Sequence, residues 1–182
     1  MDPEFLKKVE MWIERFTKND AHLRVLERKT RYWPVIERAF LAEGLPTDLG
    51  YVAWVESGFE PEARSGMGAF GMWQFMLPSG KAFNLVITPQ VDERLNVEKS
   101  SVAAARYFTL LLKMFGSERY LLALASYNAG QNKIKRKAIA AVIRKAKLPD
   151  FWHLWGDLPP ETVDYVPKVL AAIIVSRNPE RW

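Results

Sequence analysis

The 182-residue chain contains no cysteine and only two histidines. Without cysteine there are no disulfides and no thiolate metal sites, and an oxidising compartment is permitted but not required. His22 and His153 lie far apart in the sequence, and neither has a partner at ligand spacing, so no metal site is expected. No organic cofactor is implied either. Long hydrophobic runs are also missing, and no stretch reaches the length that crosses a bilayer. The opening MDPEFLKK has neither the apolar core nor the small-residue cleavage site of an export signal. Repeats, low-complexity segments and linkers are absent, so residues 1–182 are expected to form one domain, large enough to bury a core without staples.

What is present is ordinary for a globular protein: 49% hydrophobic and 26% charged residues. The net charge of +5 favours an anionic partner such as nucleic acid, a membrane surface or a wall polymer. Much of the excess sits in Lys133, Lys135, Arg136, Lys137, Arg144, Lys145 and Lys147. There Ile134, Ala138, Val142 and Ile143 mark the buried side of a helix, which makes the charges a solvated basic face. No nucleic-acid recognition motif accompanies them, so nucleic acid is not an expected partner.

Helical periodicity dominates the chain. Asp2-Pro3 caps a first helix with Phe5, Val9, Trp12, Ile13 and Phe16 on one stripe. Asn19-Asp20 caps a second carrying Leu23, Val25 and Leu26, which Pro34 is expected to break before Val35, Ile36, Ala39 and Phe40 resume the period. Gly44 is a C-terminal cap. Thr47 or Asp48 caps a helix ending at Glu56, Pro78 opens a short helix through Phe83, and Val97 to Phe115 reads as a central helix closed by Gly116. That helix is apolar on much of its surface, Val102 and Tyr107 included. A helix over residues 118–128, the basic helix and an aromatic clamp at Phe151 to Gly156 follow. A last helix starts at Pro160, is kinked by Pro167, and buries Val166, Val169, Leu170, Ile173 and Ile174.

The most informative stretch runs from Tyr51 to Asn84. Glu56 stands where a helix gives way to a loop with Gly58, Pro61, Gly66, Gly68 and Gly71, a position from which a scaffold can hold a reactive group in a cleft. By residue type alone it would be an ordinary solvated glutamate. Its neighbours Tyr51, Val52 and Val55 predict partial desolvation, which raises a carboxyl above about 4.3 and suits it to general-acid work. The loop glycines would let backbone approach a ligand, and Phe70, Trp73 and Phe75 beside the Gln74 amide would offer flat faces to sugar rings. For Phe70 and Phe75 a core position is an equal alternative. Tyr127 and Asn128 end a helix from which a phenol and an amide can reach a cleft, although Asn128 before Gly130 also reads as a plain helix stop.

The run ESGFEPEARSGMGAFGMWQFMLPSG, with ASYNAG and PPETVDYVPKVL following in order, resembles the lytic transglycosylases of the lysozyme-like superfamily, nearest to the branch of membrane-bound lytic murein transglycosylase D. The resemblance runs roughly from Tyr32 to the C-terminus. It implies a mainly α, lysozyme-like single domain with an irregular loop or small β-hairpin after the catalytic helix. Residues 1–31 would be an N-terminal helical extension packed on it. It further implies a peptidoglycan lytic transglycosylase that cleaves the MurNAc-GlcNAc β-1,4 bond and leaves 1,6-anhydroMurNAc ends. Glu56 would be the acid/base, with Ser57 beside it, and Ser65, Gln74, Met76 and Tyr127 would line the sugar subsites. Glu161 and Tyr165 would close the cleft. One departure is visible, because Leu77 intervenes where the family usually has proline directly, and this bears on the shape of the sugar groove. The expected partners are peptidoglycan glycan strands, met in the periplasm or cell envelope by a monomer, and the chain would be an excised domain or a mature form. Alternatives are a hydrolytic lysozyme, a non-catalytic wall-binding module and a basic nucleic-acid binder. A hydrolase usually needs a second carboxylate; Glu60, Glu62 and Asp92 are the nearest candidates, and none carries a signature that fixes it in a cleft.

Overall fold

Asp2 accepts hydrogen bonds from the amides of Glu4 and Phe5 and so starts helix α1, Pro3–Thr17, as the sequence predicts. The computed structural model describes residues 2–145 and 150–182, without the side chains of Asn19 and residues 142–145. The expectations placed on Asn19, Val142, Ile143, Arg144, Lys145 and Lys147 lie outside the described residues or side chains. Helix α1 buries Phe5 and Val9 and packs chiefly against the last helix, α9, Pro160–Arg177.

Helix α2, Ala21–Ala42, corrects the first expectation, because it runs through Pro34 without a break. Pro34 and Thr30, whose carbonyl loses its helical partner, are both exposed, so water can serve the orphaned group. Proline costs a helix about 3 kcal/mol, while full burial of Ile36 and Phe40 returns about 1.5–3 kcal/mol each. Asp20 occupies the N-cap position with φ +56° but makes no capping bond. The same helix is continuous across residue 31, where the N-terminal extension was expected to end.

Neither Thr47 nor Asp48 caps the next element. A 3-10 turn, Thr47–Tyr51, leads directly into α3, Val52–Ser57, and the Asp48 carboxylate instead pairs with Arg177 of α9 at 2.6 Å. The stretch between α3 and the short helix α4, Leu77–Ala82, is irregular. Within it Phe70 and Phe75 exchange both backbone hydrogen bonds at 3.1 Å, which makes a minimal hairpin.

Helix α5, Val97–Phe115, forms the centre, capped by Asn96 on the amide of Lys99 and closed by Gly116. It buries Ala103, Ala104, Ala105, Phe108, Leu111, Leu112 and Phe115, and turns Val102 outward, contrary to the sequence reading. Helices α6, Tyr120–Ala129, and α7, Gln131–Lys145, follow, with Ile134 and Ala141 on the inner side of α7. Helix α8, Phe151–Leu154, is the expected clamp: Phe151, Trp152 and Trp155 surround the ring of Phe5 at 5.1–6.0 Å. Helix α9 continues through the buried Pro167 and buries Val166 and Val169, while Ile174, expected inside, faces outward. Among the described residues no helix is long and apolar enough to cross a membrane.

Candidate active site

Helix α3 is only six residues long and is held by its surroundings rather than by propensity. Gly58 ends it at φ +63°, a conformation that glycine adopts without steric cost. Ser57 then ties helix to loop: its Oγ donates to the carbonyl of Met72 at 2.8 Å and accepts the amide of Glu60 at 3.0 Å. The Arg28 Nε closes the outside of the turn on the Gly58 carbonyl at 2.7 Å. Glu56, one residue before that latch, faces the other way, into a cleft of about 500 Å³.

The opposite wall is built by the loop after α3. At Gly71, with φ +82°, a Cβ would stand 1.8 Å from the carbonyl oxygen of Arg94. The close approach expected of these glycines is here made to the protein's own backbone instead of a ligand. Arg94 is 5% exposed, and its guanidinium bonds Asp92 at 2.6 Å and the carbonyls of Gly68 and Phe75 at 3.1 Å each. The aromatic platforms also need correction. Trp73 is fully buried, stacked on Phe40 at 5.5 Å with its indole N–H on Ser101 Oγ. Phe75 is 2% exposed and reaches the cleft only at its edge, and Phe70 has the guanidiniums of Arg94 and Arg64 at 4.3 and 5.0 Å from its ring centre. These rings hold the loop together from inside, since an isolated glycine-rich loop has little else to bury.

Of the residues singled out from the sequence, Glu56, Ser65, Gln74, Phe75, Met76, Tyr127, Asn128 and Glu161 line the same cleft. Ser65 Oγ accepts the amide of Ala69 at 3.0 Å and so shapes the loop tip. Gln74, at φ +51°, donates its amide to the Gly71 carbonyl at 2.8 Å. Tyr127 donates to the Trp73 carbonyl at 2.8 Å and lies parallel to Phe108 at 5.1 Å. Asn128 is more than a helix stop: its amide donates to Glu161 Oε1 at 2.9 Å and its carbonyl accepts the Thr162 hydroxyl at 2.8 Å, which pins α6 to α9. Ser57 and Tyr165 are not among the lining residues. Ser57 is occupied as a latch, and Tyr165, 6% exposed, lies behind Glu56 and donates its hydroxyl to Oε1 at 2.6 Å.

Burial pushes the Glu56 carboxyl up to about 7 from its ordinary 4.5; the Tyr165 hydrogen bond and the positive charge of Lys168 oppose the rise, and the negative charge of Glu161 adds to it. Burial, reinforced by the charge of Glu56, raises the phenols of Tyr127 and Tyr165 well above the usual tyrosine range, so both remain donors. A carboxyl half-ionised near neutrality beside fixed donors can give up a proton and take one back.

Tyr107, Ser79 and Lys168 were missed in the sequence. Tyr107 and Ser79 line the cleft, and Tyr107 was counted as core because it falls in an apolar helix. Lys168 was detectable in principle, since it follows Tyr165 by three residues and so shares its helix face. Glu60, Glu62 and Asp92 do not line the cleft: Glu60 pairs with Arg28 at 3.4 Å, Asp92 is clamped by Arg94, and Glu62 is exposed. The second carboxylate in the cleft is Glu161.

The chain is 35% identical over 170 residues to membrane-bound lytic murein transglycosylase D of Escherichia coli K12, covering 93% of this chain but 37% of that relative's length. A peptidoglycan transglycosylase of Escherichia phage T7 is 37% identical over 112 residues, 60% of this chain and 8% of that protein. The fold matches the soluble lytic transglycosylase of E. coli with a TM-score of 0.64 at 24% identity, over 82% of this chain and 24% of that one. An inactive mutant of lytic transglycosylase Slt from Pseudomonas aeruginosa gives 0.63 at 22% identity, over 82% and 24%. The sequence pattern of the transglycosylase SLT domain matches residues 35–148, more than half of the chain, and the protein therefore belongs to that lysozyme-like family of lytic transglycosylases.

Proposed function

We propose that this chain is the catalytic part of a peptidoglycan lytic transglycosylase, with Glu56 as its single acid/base. The observation that carries the proposal is a carboxyl raised to about 7 at the base of a sugar-sized cleft, held by the Tyr165 hydroxyl at 2.6 Å. In the protonated form Glu56 gives its proton to the oxygen of the MurNAc-GlcNAc β-1,4 bond as the C1–O bond breaks. The resulting carboxylate then takes the proton of the C6 hydroxyl of the same MurNAc, whose oxygen closes on C1. The products are a free GlcNAc 4-hydroxyl and a 1,6-anhydroMurNAc end, and no water is consumed. One group serves in both directions because its protonation states are nearly balanced at neutral pH.

Support for the subsites comes from Ser65, Gln74, Met76, Tyr127 and Asn128, which face the same space as Glu56. Glu161 favours one rival. It is a carboxylate on the same cleft and could activate a water, which would make the protein a hydrolytic lysozyme. Its Oε1 is engaged by the Asn128 amide at 2.9 Å, which suits a positioning role better. The proposed substrate places the enzyme in the periplasm or cell envelope, acting as a monomer on glycan strands. Mass spectrometry of products from purified sacculi separates the possibilities. Anhydro ends, absent with Glu56→Gln, support the transglycosylase; reducing ends identify a lysozyme, and no release identifies a binding module.

A further inference from the structure

The cleft continues past Ser79 and Tyr107. A second hollow of about 570 Å³ shares Ser79, Tyr107, Ala129 and Gly130 with the first and runs on between α4 and the first turns of α7. Together they form one trough whose charge changes along its length. The inner part is lined by Glu56 and Glu161 and by no lysine or arginine among the described residues. The outer part is lined by Lys133 and Arg136 and by no aspartate or glutamate among the described residues.

Lys133 and Arg136 are three residues apart and share a face of α7, while Ile134 between them is fully buried and anchors that helix. Both are exposed, and neither has an ion-pair partner among the described residues. Lys135, on the same helix, is exposed and lies outside the trough, unlike Lys133 and Arg136. These two line a concave wall opposite Pro78 and Phe83, where a shared field is focused rather than dispersed.

We propose that the outer trough binds the acidic peptide stem of a peptidoglycan strand, with Lys133 and Arg136 pairing with its carboxylates. The proposal rests on the reading of the substrate given above. A saccharide without charge needs no cation, so the sugars suit the inner part. A carboxylate there would be repelled by Glu56 and Glu161, and the same field would attract it at the outer end. The sign change thus orients the strand, with its stem outside and its scissile bond at Glu56. Exposed ion pairs are individually weak, so the two cations together are expected to improve binding roughly tenfold at low salt and less at high salt.

The test uses glycan fragments whose stems carry either free or amidated carboxylates. Their binding is titrated to the Glu56→Gln protein and to the same protein carrying Lys133→Ala with Arg136→Ala. The expected result is roughly tenfold tighter binding of the free-acid fragment, a preference that shrinks with added salt and disappears in the alanine variant. It should return with Lys133→Arg and Arg136→Lys. Equal binding of the two fragments overturns the proposal, as does a preference that survives in the alanine variant. If the preference is present but the wild-type protein cleaves neither fragment, the transglycosylase reading fails and the stem site stands.

Discussion

Tyr165 and Glu56 are 109 residues apart in the chain, yet the phenol donates to the carboxylate at 2.6 Å. The bond acts against the burial that dominates this site. Burial alone would keep Glu56 protonated to higher pH, and a carboxyl serves as a base only in its ionised form. Tyr165, with the charge of Lys168, pulls the carboxyl back to about 7, where both forms are populated.

Tyr165→Phe removes a bond that favours the carboxylate, so the Glu56 pKa should rise further above 7. Since kcat/KM requires the protonated acid, its alkaline limb should move to higher pH. A charge-assisted bond contributes about 1.5–3 kcal/mol, and at roughly 1.4 kcal/mol per pH unit the shift should be about one unit or more. A pH–rate profile measures it, and a limb that stays put or moves down contradicts the assignment.

Lys168 is on α9 one turn beyond Tyr165, with its ammonium 4.6 Å from the ring centre of Trp12 on α1. Burial lowers its own pKa, while the charges of Glu56 and Asp164 raise it. Lys168→Met should shift the alkaline limb in the same direction as Tyr165→Phe but by a smaller amount, about half a unit, because a through-space charge is replaced rather than a contact. The rate in the acidic plateau should change little. A downward shift of the limb would show that Lys168 does not act on Glu56.

Glu56→Gln should change stability with pH in a defined sense. The folded state holds the Glu56 proton more tightly than the unfolded chain does, so the wild type is free of this burden below 4.5. It loses stability as pH rises toward 7 and beyond. Moving from 4.5 to about 7, at roughly 1.4 kcal/mol per pH unit, sets the loss at about 3 kcal/mol at most. Urea unfolding should therefore find the variant more stable than wild type at pH 8, with the gap narrowing toward pH 4.

Arg94→Met should unfold the cleft wall first. It removes a donor that is itself 5% exposed and leaves the Asp92 carboxylate and the carbonyls of Gly68 and Phe75 without it. Removing one partner of such a buried pair costs about 3–5 kcal/mol, which lowers Tm by about 10 °C in a chain of this size. Adding Asp92→Asn should restore part of the loss in thermal denaturation. If Tm is unchanged, Arg94 does not hold the loop.

Much of this molecule could be read along the chain. The Asp2 cap, the Gly44 and Gly116 stops and the apolar stripe of α5 are local signals, and local signals predict local structure. Glu56 was legible for a similar reason, since a helix end before a run of glycines is visible in one dimension. Pro34 was misread because a proline is a breaker only when nothing outweighs it, and the burial of Ile36 and Phe40 against the core is a tertiary quantity. The aromatic loop was misread in the same way. Whether Trp73 faces a sugar or Phe40 depends on which element covers it, and no spacing along the chain records that.

What the amino-acid order determined by itself was most of the helices, the Asp2, Gly44 and Gly116 signals at their ends, and the place of one carboxyl, Glu56, at the end of a helix before a glycine-rich loop. The fold decided that carboxyl's proton affinity, because desolvation and the approach of Tyr165, Lys168 and Glu161 bring together groups from opposite ends of the chain. A local pattern can place an acid at the end of a helix, but its pKa depends on the dielectric and the charges around it, and those exist only once the chain has closed upon itself.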